Sequence, residues 1–219
     1  MKKNTNIICL HTVFLKTICF VAFVFCLPVV FGMPTANCQL LDTLTLAQQP
    51  TFFSLQEAML HPDSVFKLTL SKKKLKEIPA QVFTFKNLQI LNLSKNSLKE
   101  IPAIINQLQN LQDLNLSGNE ITAIPASIGT MKNLIHINFN RNLIEAIPPE
   151  IGTLQNLEVL EMWDNELDSV PDEIKNLNKL KILELRGILF SKDDQNYLKK
   201  LVPDARVYFS PACPCINKF

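Results

Sequence analysis

Residue types that could act as nucleophiles, acid–base groups or metal ligands are sparse in this chain of 219 residues. It contains three histidines and six cysteines, and no cysteine falls between residues 39 and 212. No nucleophile is paired with a base, no glycine-rich phosphate loop is present, and no Cys–His group has ligand spacing. We therefore expect a protein that is not an enzyme and that uses no cofactor and no metal.

The strongest candidates for chemistry are His136, Glu161 and Glu184. They lie about one unit apart in a 23-residue repeat, described in the next paragraph, which places them on successive strands. His136 and Glu161 supply two metal ligands at best, whereas a metal site needs several converging ones. Glu161 and Glu184 are neighbours, but no pocket is expected to desolvate them for acid–base catalysis. These side chains favour binding over catalysis.

The strands that would carry these candidate side chains come from a repeat of 23 residues. Residues 75–189 divide into five copies without a gap, starting with LKEIPAQVFTFKNLQILNLSKNS. Eight columns are apolar or Pro in every copy, and a ninth is Asn in four of the five. Such regularity is typical of a repeat architecture, in which each unit packs on its neighbours.

Each copy contains an alternating apolar and polar stretch, such as Leu114 and Leu116, which predicts one short half-buried strand. Successive strands should pair in parallel, about 4.8 Å apart. After the strand comes the Asn column, whose amides can satisfy buried backbone groups in the turn, a structural role; it comprises Asn96, Asn119, Asn142 and Asn165. A proline in every copy then starts a segment long enough only for a short helical or 3₁₀ turn.

The pattern L-x-x-L-x-L-x-x-N-x-L, carried by Leu111, Leu114, Leu116, Asn119 and Ile121, resembles the leucine-rich repeat family. The I-P-x-x-I segment resembles its 23-residue class, found in Ras-pathway scaffolds and plant intracellular proteins. The resemblance implies an α/β fold: a curved, right-handed solenoid with a parallel concave sheet and short helices or 3₁₀ turns on the convex side. It also implies binding without naming a partner.

The flanks are expected to close the ends of the solenoid. We predict a loose linker at 39–53, then an N-terminal cap at 54–74 that holds a capping-box helix and a degenerate repeat strand. A C-terminal cap at 190–210 should contain a helix from Ser191 to Leu201 and a closing strand at 206–209. Residues 211–219 form a tail, in which Cys213 and Cys215 are free, externally paired or joined by a strained bridge.

Residues 1–38 have no acidic residue, three lysines, and an apolar run at 17–31, the layout of a secretory signal. Cleavage after Cys38 or Gly32 would give a secreted or periplasmic/cell-envelope protein. The alternatives are an uncleaved membrane anchor and a lipid-anchored Cys38. Removing this segment takes three of 22 basic and none of 20 acidic residues, which leaves a net charge of −1 and argues against nucleic-acid binding.

The expected binding face consists of side chains on and beside the concave sheet, and Trp163, the only tryptophan, is its candidate anchor. The alternative is that this indole only packs locally. The residues expected to form this face are His136, Asn138, Asn140, Arg141, Glu161, Trp163, Asp164, Glu184 and Arg186.

A protein or peptide is the expected partner of an exported recognition module of this kind, with a glycan as the alternative. Contact with a membrane is expected only through the N-terminal segment, and the chain is expected to be a monomer. Two other functions remain open: a membrane-attached structural spacer of the envelope and an intracellular signalling scaffold.

Overall fold

The computed structural model describes residues 40–211, and their main feature is a sheet of eight parallel strands in chain order. The strands are β1 Thr51–Phe52, β2 Lys67–Thr69, β3 Ile90–Asn92, β4 Asp113–Asn115, β5 His136–Asn138, β6 Val159–Glu161, β7 Ile182–Leu185 and β8 Arg206–Phe209. From β2 to β7 each residue pairs with the one 23 positions later. The predicted parallel sheet is confirmed.

Each repeat strand is three or four residues long, and its second residue, such as Leu114, points into the core. Opposite the sheet lies a layer of short 3₁₀ helices, five of which follow the repeat prolines: Ala80–Thr84, Ala103–Gln107, Ala126–Thr130, Pro149–Thr153 and Asp172–Asn176. The prolines at their N-caps have φ between −57 and −70°, the value that the ring imposes. One hydrophobic core runs between the two layers from Phe52 to Val202.

Asparagine side chains close the turns after four of the repeat strands, β3 to β6. Asn142 is 5% exposed, and its Oδ1 accepts the backbone N–H of Ile121 at 3.1 Å. Its Nδ2 donates to the carbonyls of Leu116 at 3.1 Å and Phe139 at 2.8 Å. Each Asn of this column thereby links its own turn to the preceding repeat, as for Asn96, Asn119 and Asn165.

A second asparagine column lies before the strands, and the sequence analysis did not identify it. Asn87, Asn110, Asn133 and Asn156 each donate through Nδ2 to a carbonyl of the previous repeat, at 2.7 to 2.9 Å. The signal was available, since these residues also recur every 23 positions. Side-chain amides therefore bond to the backbone at both ends of these strands.

The N-terminal flank differs from the expected loose linker. Helix α1 (Thr43–Gln48) begins at Asp42, whose carboxylate accepts the N–H of Thr45 at 2.8 Å. Strand β1 then extends the sheet, which shields the edge of β2. Helix α2 (Leu55–Leu60) follows, but the expected capping box is not formed, because the side chain of Ser54 makes no cap hydrogen bond.

At the other end, helix α3 (Lys192–Leu201) starts with a capping box in which Ser191 and Asp194 bond reciprocally. Strand β8 pairs with β7 and ends the sheet. Within residues 40–211 no helix is long and apolar enough to cross a membrane. The predicted signal segment, Cys38, Cys213 and Cys215 lie outside the described residues.

Candidate binding face

The face of the sheet that points away from the core, here called the concave face, carries three rows of side chains set by the 23-residue register. The first row is Lys67, Ile90, Asp113, His136, Val159, Ile182 and Arg206. The second is Thr69, Asn92, Asn115, Asn138, Glu161, Glu184 and Tyr208. The third, one step beyond the paired residues, is Ser71, Ser94, Ser117, Asn140, Trp163 and Arg186.

His136 joins two carboxylates from the strands on either side of it. Its Nδ1 lies 3.2 Å from Asp113 Oδ2, and its Nε2 lies 3.2 Å from Glu161 Oε1. The side chains of these three residues are 27 to 37% exposed. The hydrogen bond to Asp113 is the main cause that raises the pKa of His136 above 6.5, and the charge of Glu161 adds to it, while partial burial opposes the shift.

Glu161 accepts further hydrogen bonds from two amides. Asn138 Nδ2 donates to its Oε2 at 2.5 Å and Asn140 Nδ2 at 2.6 Å. In β3 and β4 the second-row residues, Asn92 and Asn115, instead accept the backbone N–H two residues further on, at 3.0 Å.

Glu161 does not take this backbone role, and Asn140 Oδ1 accepts the N–H of Trp163 at 2.7 Å in its place. The amide of Asn140 therefore bridges Glu161 and the backbone of Trp163. Glu161 is the centre of a network that spans three strands.

Trp163 is half-buried beside this network. The guanidinium carbon of Arg141 lies 4.4 Å from the centroid of its ring, a cation–π contact. Arg141 and Asp164 lie one residue beyond the three rows, in the turn, with φ of 56° and 58°. Gly118 and Gly187 occupy the same turn position, where a left-handed backbone favours glycine. Arg141 thus reaches the binding face from the turn.

Glu184 and Arg186 form a separate pair on β7. Arg186 donates from Nε to Oε1 at 2.8 Å and from Nη2 to Oε2 at 2.7 Å, a bidentate arrangement. Glu184 is 7% exposed, and Arg186 lies with its guanidinium carbon 5.7 Å from the ring centroid of Tyr208 on β8.

The structure brings His136, Asn138, Asn140 and Glu161 into one hydrogen-bonded cluster and sets Glu184 and Arg186 apart from it. The binding set expected from the sequence left out two residues of this face that contact its members. Asp113 was detectable because it precedes His136 by one repeat, and Tyr208 because the closing strand continues the second row. Within the described part of the chain, no group of three or more His, Cys, Asp or Glu could hold a metal ion.

Comparison with known proteins supports the repeat assignment. The family model described as "Leucine-rich repeat region" matches residues 81–204. No curated protein sequence matches the chain significantly.

Solved structures are similar in fold. A leucine-rich repeat protein of Leptospira interrogans has 31% identity and a TM-score of 0.62, over 75% of this chain and 49% of its own. An internalin of Listeria monocytogenes has 18% identity and a TM-score of 0.58, over 70% and 45%. The chain thus spans about half the length of either structure. With the family model covering more than half of its residues, the chain belongs to the leucine-rich repeat family.

Proposed function

We propose that this protein is an exported recognition module that binds a protein or peptide through the C-terminal half of its concave face. The half in question runs from β4 to β8 and holds the network around Glu161, the Trp163–Arg141 contact and the Glu184–Arg186 pair. A repeat scaffold of this kind supplies a continuous surface, and its variable rows supply the specificity.

The observation that carries the proposal is the contact of Arg141 with Trp163 beside the Glu161 network. Trp and Arg are the residues most enriched among those that dominate binding energy at interfaces. The hydrogen bonds of Asn140 to Glu161 and to the Trp163 backbone hold this part of the face in place before a partner arrives. Preorganisation of this sort reduces the entropy lost on association.

A binding role fits the chemistry of the face better than an enzymatic one. The polar atoms of His136 and Glu161 are hydrogen-bonded to each other and to neighbouring side chains. Family membership supports the same conclusion, since both solved neighbours above are repeat proteins of similar fold. We therefore propose that the chain is not an enzyme.

Export is proposed from the apolar segment at 17–31 and the absence of acidic residues before it. Mass spectrometry of the protein recovered from its source tests this directly. A chain that begins at Gln39 or Met33 supports secretion, an acylated Cys38 supports a membrane-anchored form, and a full-length chain in the cytoplasm contradicts export.

A phage-displayed peptide library selected on the immobilised protein tests the binding face. We expect Trp163→Ala to lose at least tenfold in affinity for the selected peptides, with unchanged unfolding. Tyr197→Ala is the matched control, because Tyr197 is a 49%-exposed aromatic residue on α3, away from the concave face. Equal peptide binding by the wild type and Trp163→Ala would refute the assignment of the site.

A further inference from the structure

Charged side chains are sorted by sign along the turns that follow the strands. The turn column Lys76, Lys99, Thr122, Glu145 and Asp168 recurs every 23 residues, and all five residues are exposed. Its order is two positive, one neutral and two negative residues. This column and its neighbours in the same turns are called the turn face below.

Neighbouring positions of the turn face strengthen the sorting. Lys72, Lys73, Lys74 and Lys95 are exposed in the first two turns, whereas Asp164 and Glu166 are exposed in the fifth. Lys72, Lys74 and Lys95 keep left-handed φ values of 57–58°. A lysine there costs more than glycine, so the positive charges are held at unfavourable backbone positions.

Not every charge follows the gradient. Glu77 and Glu100 come directly after Lys76 and Lys99, Glu120 lies in the central turn, and Arg141 lies in the fourth. In the column of Glu77 and Glu100, the later turns carry the small neutral residues Ala123, Ala146 and Ser169. The net sign still changes from positive in the first two turns to negative in the fifth.

In this column, residues of like charge come from successive repeats and therefore lie beside each other. An alternating order of positive and negative residues would fit the same repeat. At the other end of the strands, Lys181 Nζ pairs with Glu158 Oε2 of the previous repeat at 2.6 Å. Among residues 40–211, no ion pair involves the charged residues of the turn-face column. Like charges in adjacent turns repel each other, and an oppositely charged surface would relieve that repulsion.

We propose that two copies of the chain associate through their turn faces, antiparallel, about a two-fold axis at Thr122. The axis would put Lys76 of one copy opposite Asp168 of the other, and Lys99 opposite Glu145. A pattern that reverses sign about its centre is self-complementary under two-fold symmetry, the commonest symmetry of homo-oligomers.

The centre of the turn face suits such a contact. Thr122 and Ala123 are small and exposed, which allows close approach, and Leu143 is an apolar side chain 42% exposed one repeat away. The sequence alone predicted a monomer, and the charge order is what favours the dimer. The column that forms the proposed contact, from Lys76 to Asp168, shares no residue with the three concave rows, so variants of this column leave the residues of the proposed binding function unchanged.

Sedimentation equilibrium of the protein produced from the full sequence tests the association. We expect a dimer at low ionic strength that dissociates as salt rises from roughly 0.01 M to roughly 1 M, because the screening length falls from about 30 to 3 Å. A monomer throughout this range, at concentrations up to the solubility limit, would overturn the proposal.

Two charge-reversal variants separate self-association from other uses of the lysines. Lys76→Glu with Lys99→Glu makes both ends of the turn-face column negative, and Glu145→Lys with Asp168→Lys makes both ends of that column positive. Each variant alone should be monomeric, and an equimolar mixture should recover a heterodimer. Failure of the mixture to associate, or a dimer formed by either variant alone, contradicts the two-fold arrangement. These exposed side chains make no structural hydrogen bond, so both variants should fold.

Discussion

The first and last repeats share one backbone design but use their concave faces differently. In β2 to β4 the second and third rows hold Thr, Ser and Asn, which bond to each other or to their own backbone, as in the 3.0 Å contact of Ser71 with Ser94. In β5 and β6 the same rows hold Asn138, Asn140 and Glu161; Asn138 keeps the bond to its own backbone, and the carboxylate of Glu161 in addition gathers both amides into one network. The register of the sheet is identical in both regions, so the difference comes from side chains alone.

Packing behind the sheet differs in the same direction. One column of the 3₁₀ helices holds Phe83 and Asn106 in the first two repeats but Gly129 and Gly152 in the next two. A Cβ on Gly152 would lie 2.3 Å from the backbone oxygen of Glu173. The later repeats therefore stack more closely on their convex side. The third and fourth repeats are thus the more tightly packed part of the solenoid, and three variants test this.

The largest effect is expected from Asn142→Ala. It removes four side-chain hydrogen bonds and leaves the N–H of Ile121 without a partner in the interior, a loss of about 3 kcal/mol, whereas the carbonyls of Leu116 and Phe139 keep the amides of Asn119 and Asn165 as donors. The matched variant in the first repeat is Asn96→Ala, where water reaches the half-buried turn and the loss should be about half as large. Urea unfolding of both proteins measures the difference, and equal losses would contradict the contrast between the regions.

Gly152→Ala should be the next most damaging change. The added methyl group meets the backbone of the following 3₁₀ helix, which cannot move without disturbing its own packing, and overpacking of this kind costs about 2 kcal/mol. Asn106→Ala changes the same column two repeats earlier and should alter stability by less than about 0.5 kcal/mol. Thermal unfolding of both variants measures the two changes in stability. An unchanged stability for Gly152→Ala would show that the convex 3₁₀ helices shift easily to accommodate the methyl group.

His136→Asn should have the smallest effect, and one that depends on pH. Because the pKa of His136 is raised in the folded state, its protonated form contributes stability fully below the unfolded value of 6.5, and this is lost as pH rises through the folded pKa. The contribution should be under about 1 kcal/mol because the three side chains are partly exposed.

Stability curves of the wild type and His136→Asn should thus diverge at acidic pH and converge at alkaline pH. His61→Asn, in the N-terminal cap, controls for the loss of a histidine as such. A difference between wild type and His136→Asn that grows with rising pH would have the wrong sign and would refute the ion-pair interpretation.

Much of this architecture could be predicted from residue spacing. Columns such as Leu114 and Pro125 are constrained by burial and by φ, which act locally and identically in every copy, so periodicity alone reveals them. The N-terminal flank could not be predicted in this way, because β1 has two residues and depends on pairing with β2. Helix α1 likewise has no counterpart in the repeat and begins at a single capping residue, Asp42.

The candidate site was predicted in outline only. That His136 and Glu161 would lie on adjacent strands followed from the register, but the bridging position of His136 between Asp113 and Glu161 did not. Arg141 was expected as one member of a face, whereas it covers Trp163 from the turn.

The sequence by itself determined the repeat length, the parallel strand register, and the Asn and Pro columns. Each of these depends on one residue type at one position in a unit that recurs. Only the tertiary structure decided which variable side chains pair with each other. Glu161 bonds to His136, Asn138 and Asn140 of the preceding repeat, and this choice of partners depends on rotamers and distances that exist only once the strands lie side by side.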